Sequence, residues 1–512
     1  MNIKKIAIVG GGTAGWLVAN HLGKALLERL NTSLTLIESP DIPSIGVGEG
    51  TVPMMRETLK SFGISETDFV QQCDVTFKQS IKFVNWLDKN NHGENNYYHH
   101  LFDYPFPLGD DLAPFWLSTD KKIPFADIAS FQGAICDAGL GPKTISTPEY
   151  QGTTTYGYHL NAKKFAQLLA KNACEKFNVT HRLANVTDVN LKEDGSIKSL
   201  KLDSDNCKDD TEFDFYIDCS GFSSFLMRKN LDVKFIDKSN ELLIDTAIVV
   251  QVPTNSEDDI PSYTIATAHQ AGWIWDIALP KRRGVGFVFS SKYMNESLAK
   301  EKLAKYLDKD LSELPHRSIP MNIGYLEKFW HKNCVAIGLS QGFVEPLEAT
   351  AILLADFCAK QLAQNFPDEQ IQYEHLSKMY NKRITYCWDR VIDFIKLHYC
   401  ISDRTDSQFW LDNKKEEGIS EHLKQLLLHW QSFSPKASDF FSKFEIFDVE
   451  NFLYVLYGMK YQTSINNLSK NYYTKAKSDA EQVKKHANAL VNELPKHREL
   501  INKINQFGMQ KI

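Results

Sequence analysis

Ile6-Ala7-Ile8-Val9 is a short apolar strand that runs straight into Gly10-Gly11-Gly12-Thr13-Ala14-Gly15-Trp16. Gly10, Gly12 and Gly15 occupy the GxGxxG positions. Leu17 to Leu30 then reads as a helix, and Leu34-Thr35-Leu36-Ile37-Glu38 as a second strand ending in an acid. Strand, glycine turn, helix and acid-ended strand are the context that a dinucleotide fingerprint needs. Gly10 permits the tight turn, Gly12 lets backbone approach a pyrophosphate, and Gly15 lets helix pack on sheet. The helix N-terminus, with Thr13 and Ala14, faces the phosphates. Glu38 is placed to accept from a ribose hydroxyl.

The rest of the chain must build around that unit. Its 512 residues are enough for two or more domains, and 43% hydrophobic with 24% charged residues is ordinary globular composition. A net charge of -6 gives no basic footprint for nucleic acid or an anionic membrane. No uncharged apolar run approaches the ~20 residues of a membrane helix. The first strand begins almost at Met1, so no secretory signal is expected and the expected location is cytoplasmic. Nine cysteines without CxxC pairs read as reduced, mostly buried thiols. His99-His100 lacks a metal-ligand pattern around it, so no structural zinc is expected.

Past the first unit, Ile45-Gly46-Val47-Gly48-Glu49-Gly50-Thr51 is too glycine-rich for a regular element. It reads as a loop brought against the ligand, with Gly48 and Glu49 as cofactor contacts and a helix from Val52 to Phe62 after it. Phe77 to Trp86 is ambiguous between strand and helix end. Residues 87 to 150 read as an excursion over the nucleotide domain. Asn161 is an N-cap for a helix over Ala162 to Phe177. Short strands follow, with a turn at Glu193-Asp194-Gly195-Ser196. Phe215 to Asp218 is a return strand that brings its C-terminal end back to the cofactor. Thr246–Val252, Gly272–Ile277 and Gly286–Ser290 suggest an antiparallel sheet. Cys334 to Ile337 is a strand that turns at Gly338, a further cofactor contact. Ala349 to Asn365 is helical, and the chain from 366 on reads as almost wholly helical. The expected division is therefore 1–365 and 366–512.

Three stretches carry candidate chemistry. Trp273 and Trp275 share one face of a strand, which alone also describes an aromatic sheet core. Glu345-Pro346-Leu347-Glu348-Ala349-Thr350 leads into a helix, where free N–H groups can hold a small anion. Glu348 there also reads as a capping acid. Lys78 lies in a partly apolar stretch, where most lysines snorkel. Enclosed, it would instead donate a hydrogen bond to a small oxidant or be oxidised by it.

Taken together these stretches resemble the flavin-dependent tryptophan halogenases, over nearly the whole chain. The resemblance rests on the glycine turn, on Phe77-Lys78 with Ile81-Lys82-Phe83 and Trp86, on Trp273-Ile274-Trp275 with Ile277, and on Phe343-Val344-Glu345-Pro346-Leu347-Glu348. It implies a flavin monooxygenase-like α/β fold with an added antiparallel sheet and a mostly helical C-terminal region. It implies FAD, supplied reduced by a separate NAD(P)H-dependent flavin reductase, dioxygen, and chloride or bromide held on the N–H groups of Thr350 and Ala351. Hypohalous acid would then travel through an internal tunnel to Lys78, with Glu348 orienting the oxidant or taking the ring proton. Trp273 and Trp275 would wall off the flavin side, and His100 and Phe102 would line an indole site. A monomer or homodimer is expected.

The chain departs from the family pattern at Ala278, where proline is usual, at Ala349, where serine is usual, and at Ala351, where glycine is common. Around Phe447 to Tyr454 the family's clamp on the amino-acid end of tryptophan is not matched residue by residue. Indole, an indole derivative or another electron-rich aromatic therefore stays open beside tryptophan. A hydroxylating flavin monooxygenase and a non-catalytic flavin-binding protein are the alternatives.

Overall fold

The structure, a computed structural model, describes residues 2–29, 31–42, 49–204, 207–465 and 468–511. Strand Lys5–Val9 lies inside a parallel sheet because Ile6 to Val9 are apolar on both faces, as a strand covered from two sides must be. Ser33–Glu38 pairs with it on one side and Phe215–Asp218 on the other, both parallel. Across the described sheet the order is Trp330–His331, Cys334–Ala336, Phe215–Asp218, Lys5–Val9, Ser33–Glu38, Thr180–Leu183. The return strand expected at Phe215 to Asp218 thus lies directly beside the glycine turn.

The first helix spans Thr13–Leu26, four residues ahead of its expected start. The glycine turn is its first turn, and Gly15 lies inside it. A Cβ on Gly15 would stand 1.9 Å from the carbonyl oxygen of Gly10. Close approach to the strand therefore overrides the poor helix propensity of glycine. The helix after Asn161 spans Ala162–Phe177, and the Asn161 side chain accepts from the Lys164 N–H. Of the glycine-rich loop, residues 45–48 lie outside the described residues, Gly48 among them. Glu49–Gly50 forms a short strand, and the helix after it is Met54–Ser61.

A second, seven-stranded sheet runs in the order His316–Pro320, Thr246–Pro253, Arg282–Phe289, Gly272–Ala278, Tyr263–His269, Ser80–Val84, Tyr97–Leu101. It is antiparallel except where Ser80–Val84 meets Tyr263–His269. The ambiguous stretch from Phe77 resolves into two strands, Thr76–Lys78 and Ser80–Val84. They belong to different sheets: Thr76–Lys78 pairs with Gly157–Leu160 in a small three-stranded one. The chain changes sheet at Gln79, whose N–H goes to the Ser262 carbonyl. Lys78 therefore stands at a joint between two sheets.

The C-terminal part is helical, led by Tyr373–Cys400, which is buried on every side from Val391 to Tyr399. Helix Val449–Gly458 packs on strand Tyr97–Leu101. The last helix, His497–Phe507, returns beneath strand Thr76–Lys78. Among the described residues eight cysteines are free, most of them buried. No described helix is long and apolar enough to cross a membrane, and no described cluster of three or more His, Cys, Asp or Glu could hold a metal ion.

Candidate active site

The glycine turn opens one end of a cavity of about 600 Å³. Gly10 has φ +121°, and a Cβ there would stand 2.1 Å from the Cys219 carbonyl oxygen, at the end of the neighbouring strand. A Cβ on Gly12 would meet nothing within 4 Å, so the space in front of this backbone is free for a ligand. Thr13, Ala14 and Gly338 line the same end, and Gly15 lies behind it in the helix. The Glu38 carboxylate folds over Gly11 and accepts from His181 Nε2–H at 2.8 Å, yet still lines the cavity. Glu49 lines the cavity with its carboxyl pushed up to about 7 by burial.

The same cavity reaches two indole rings. Trp273 and Trp275 both line it, with ring centroids 6.3 Å apart. Strand register explains how so large a ring fits. Trp275 stands opposite Gly286, and a Cβ on that glycine would lie 2.1 Å from the Trp275 ring. Trp273 Nε1 is buried beside Glu345, whose carboxyl burial pushes up to about 7. Tyr399 donates to that same carboxyl.

Lys78 and Glu348 line the same cavity. The Lys78 ammonium is fully buried and has no hydrogen-bond partner among the described residues. It lies 5.1 Å from the centroid of the Phe102 ring. Burial pulls its pKa down to about 8, against the opposing pull of Glu348. Glu348 is buried as well, between two histidines. His100 Nδ1 is 2.9 Å and His398 Nε2 3.0 Å from its carboxylate. Burial pushes this carboxyl up, but the charge and hydrogen bond of His100 and then those of His398 outweigh it, so it is held well below the usual carboxylate range. His100 and Phe102 do not line the cavity; they sit behind Glu348 and Lys78, on the side of helix Val449–Gly458.

The backbone beneath Glu348 is unusual. Glu348 has φ 67° and Ala349 φ 56°, two successive left-handed residues, neither a glycine. Each costs about 1–2 kcal/mol relative to the right-handed conformation. The next helix, Thr350–Gln364, begins one residue later than expected because Ala349 is its left-handed cap. Thr350 and Ala351 are thus its first two residues, whose N–H groups have no partner within a helix. Both line the cavity next to Lys78 and Glu348. Left-handed and right-handed residues in succession turn N–H groups toward one point, which suits a small anion.

His398 and Asn451 escaped the sequence reading. His398 lies in the last turn of helix Tyr373–Cys400, where a histidine reads as an ordinary partner of the helix dipole. Asn451 Oδ1 meets His100 Nε2 at 3.0 Å. It lies in the stretch from Phe447 to Tyr454 that matched no clamp, so the helix that stretch forms touches the site through a different pairing.

Known proteins share this fold. The family described as tryptophan halogenase matches residues 5–471. A solved tryptophan halogenase from Shewanella frigidimarina NCIMB 400 is 38% identical and superposes with a TM-score of 0.94, covering 100% of this chain and 99% of its own. Tryptophan 7-halogenase RebH of Lentzea aerocolonigenes is 32% identical over 455 residues, 85% of this chain and 84% of its own. BrvH, a flavin-dependent halogenase from Brevundimonas sp. BAL3, is 29% identical with a TM-score of 0.86, over 98% of this chain and 99% of its own. The chain belongs to the flavin-dependent tryptophan halogenases and is an enzyme of that family.

Proposed function

We propose that this enzyme halogenates a carbon of an indole ring, tryptophan first among the candidates, using FAD, dioxygen and chloride or bromide. The observation that carries this reading is the one continuous cavity lined by the glycine turn, by Lys78 and by Glu348. FAD fits the residues present. The glycine backbone leaves open space for a pyrophosphate at Gly12, Glu38 is within the cavity for a ribose, and Trp273 and Trp275 flank the passage beyond. Bound in reduced form, FAD supplies with dioxygen the oxidising power that turns halide into hypohalous acid. A separate NAD(P)H-dependent flavin reductase is the proposed source of reduced FAD.

The chain's own residues then do three things. The Thr350 and Ala351 N–H groups hold the halide. The Lys78 ammonium, buried without a partner, donates to the hypohalous acid and fixes it near the aromatic carbon that is attacked. Glu348 takes the proton that the halogenated ring must lose. Enclosure keeps the electrophile from water and from other side chains. The test is a reaction with flavin reductase, FAD, NADH, oxygen and chloride or bromide over tryptophan and a panel of indoles and phenols. Halogenated product by mass spectrometry is expected. Hydroxylated product would make the enzyme a monooxygenase, and no product from any substrate would leave a flavin-binding protein without turnover.

A further inference from the structure

His398 has both ring nitrogens occupied in a way that fixes its protonation. Its Nδ1 lies 2.8 Å from the Phe394 carbonyl oxygen. A carbonyl only accepts, so Nδ1 carries hydrogen. Its Nε2 lies 3.0 Å from Glu348 Oε1. A neutral ring with its hydrogen on Nδ1 would aim a lone pair at a carboxylate, both fully enclosed, which is repulsive at that distance. One more proton is needed between them. His100 Nδ1 also reaches this carboxylate, at 2.9 Å, and two nitrogen donors stabilise its ionised form, so the proton belongs on the ring. His100 is less constrained: turning the Asn451 amide would let its Nε2 accept, at the cost of the amide's contacts at 3.3 Å to the Asp448 carbonyl and 3.4 Å to Glu450. His398 has no such freedom.

We propose that His398 is a fixed imidazolium that holds Glu348 ionised and aimed, and so acts as the positioning residue of the acid–base site. This rests on the halogenation reading above. The surroundings agree with the assignment. Phe83, Trp86 and Phe394 ring the imidazole. The other titratable groups facing Glu348 are Lys78 and Tyr98, from two different strands, and His100, with Glu450 behind His100. Tyr98 Oη is buried without a partner, so it does not replace His398 as donor.

Two measurements test this. The first is nitrogen NMR on full-length protein labelled with 15N-histidine, without substrate or flavin. Expected at neutral pH is a His398 ring with both nitrogens protonated, its resonances assigned by their loss in His398→Gln. In Glu348→Gln the same ring is expected to become neutral with hydrogen on Nδ1 alone. A bare Nε2 in the wild type overturns the proposal. If His398→Gln does not fold, His100→Gln identifies the other ring that meets Glu348, and the remaining ring that shifts on Glu348→Gln is His398. The second is a double-mutant cycle in single-turnover halogenation. His398→Gln is expected to slow product formation by at least tenfold with FAD affinity unchanged. In a Glu348→Gln background it should cost less than twofold more. Equal losses in both backgrounds would make His398 a packing residue and overturn the proposal. Failure of the wild type to halogenate anything would count against the proposed function alone, because the NMR result does not depend on turnover.

Discussion

At the scale of single residues, Lys78 shows how far sequence reaches. The family resemblance assigned it a reacting role, whereas its local pattern alone describes a snorkelling lysine. What separates the two is enclosure, which needs strands from two sheets and the turn at Glu348, far apart in sequence. We predict that Lys78→Ala abolishes halogenation with FAD affinity nearly unchanged, because Lys78 is not part of the glycine turn proposed to hold the pyrophosphate. More than a tenth of wild-type product would refute this. The pH dependence follows from burial. In the fold Lys78 loses its proton near pH 8, and in the unfolded chain near 10.5. Between these values the unfolded chain binds more protons, so stability rises with pH across that window. Denaturant titrations of wild type and Lys78→Met at pH 7.5 and 10 check it: the rise should be smaller in the variant. Halogenation should move the other way and fall above pH 8, since the ammonium is the proposed donor. A rate that climbs instead would favour the free amine as the reacting form. Glu348→Gln should lower single-turnover product formation on the order of 10²-fold, the range for a positioned acid or base. An unchanged rate would leave Glu348 as a helix-start residue.

At the scale of elements, local signals served well wherever the cause was local. Asn161 capped its helix at the expected residue, and the strand around Trp273 fell where period 2 put it. Strand Tyr263–His269 was missed because its Thr, Ala and His residues look like loop until both neighbours pair with it. The first helix was placed late because glycine in its first turn reads as a breaker. The site depends on one element contact that no local pattern announces. The Phe77 N–H, next to Lys78, donates to His497 Nε2 at 3.0 Å, while His497 Nδ1–H donates to the Ile260 carbonyl. These two backbone partners require a neutral ring, and burial pulls its pKa down to about 4. We predict that His497→Ala destabilises the protein by about 2–4 kcal/mol, from the lost ring and a buried N–H left unpaired. His497→Gln, which can still accept from Phe77, should lose less. Urea unfolding of the two variants decides this, and equal losses would mean that the ring's bulk, not its acceptor, is what matters. Because the unfolded chain protonates this histidine near 6.5 and the fold near 4, wild type should also lose stability as pH falls through that window, and His497→Gln should lose less of it.

At the scale of the whole molecule, composition and charge restricted the class of protein, and the motifs reached the family. The division at residue 365 marks where the chain turns helical, and we take it as a change of texture, not a boundary of stability. His398 comes from one C-terminal helix, Asn451 from a second and His497 from the last, and each hydrogen-bonds a residue from before position 365. The final helix is also tied to the N-terminal part through Arg498, which donates to the Asp258 and Pro280 carbonyls, and through the Met509 N–H on Thr67. One apolar core runs from Ile3 to Met509, with Val391 to Leu397 and Phe452 to Tyr457 inside it. A unit built this way loses its enclosed site if either part opens, so the two parts should unfold together. We predict one cooperative transition in calorimetry of the full chain, with van't Hoff and calorimetric enthalpies equal. Added FAD should raise the midpoint of that single transition by mass action, since it binds only the folded form. Two transitions, of which only the first moves with FAD, would show that residues 366–512 fold on their own, and the site would then be assembled at a docking surface.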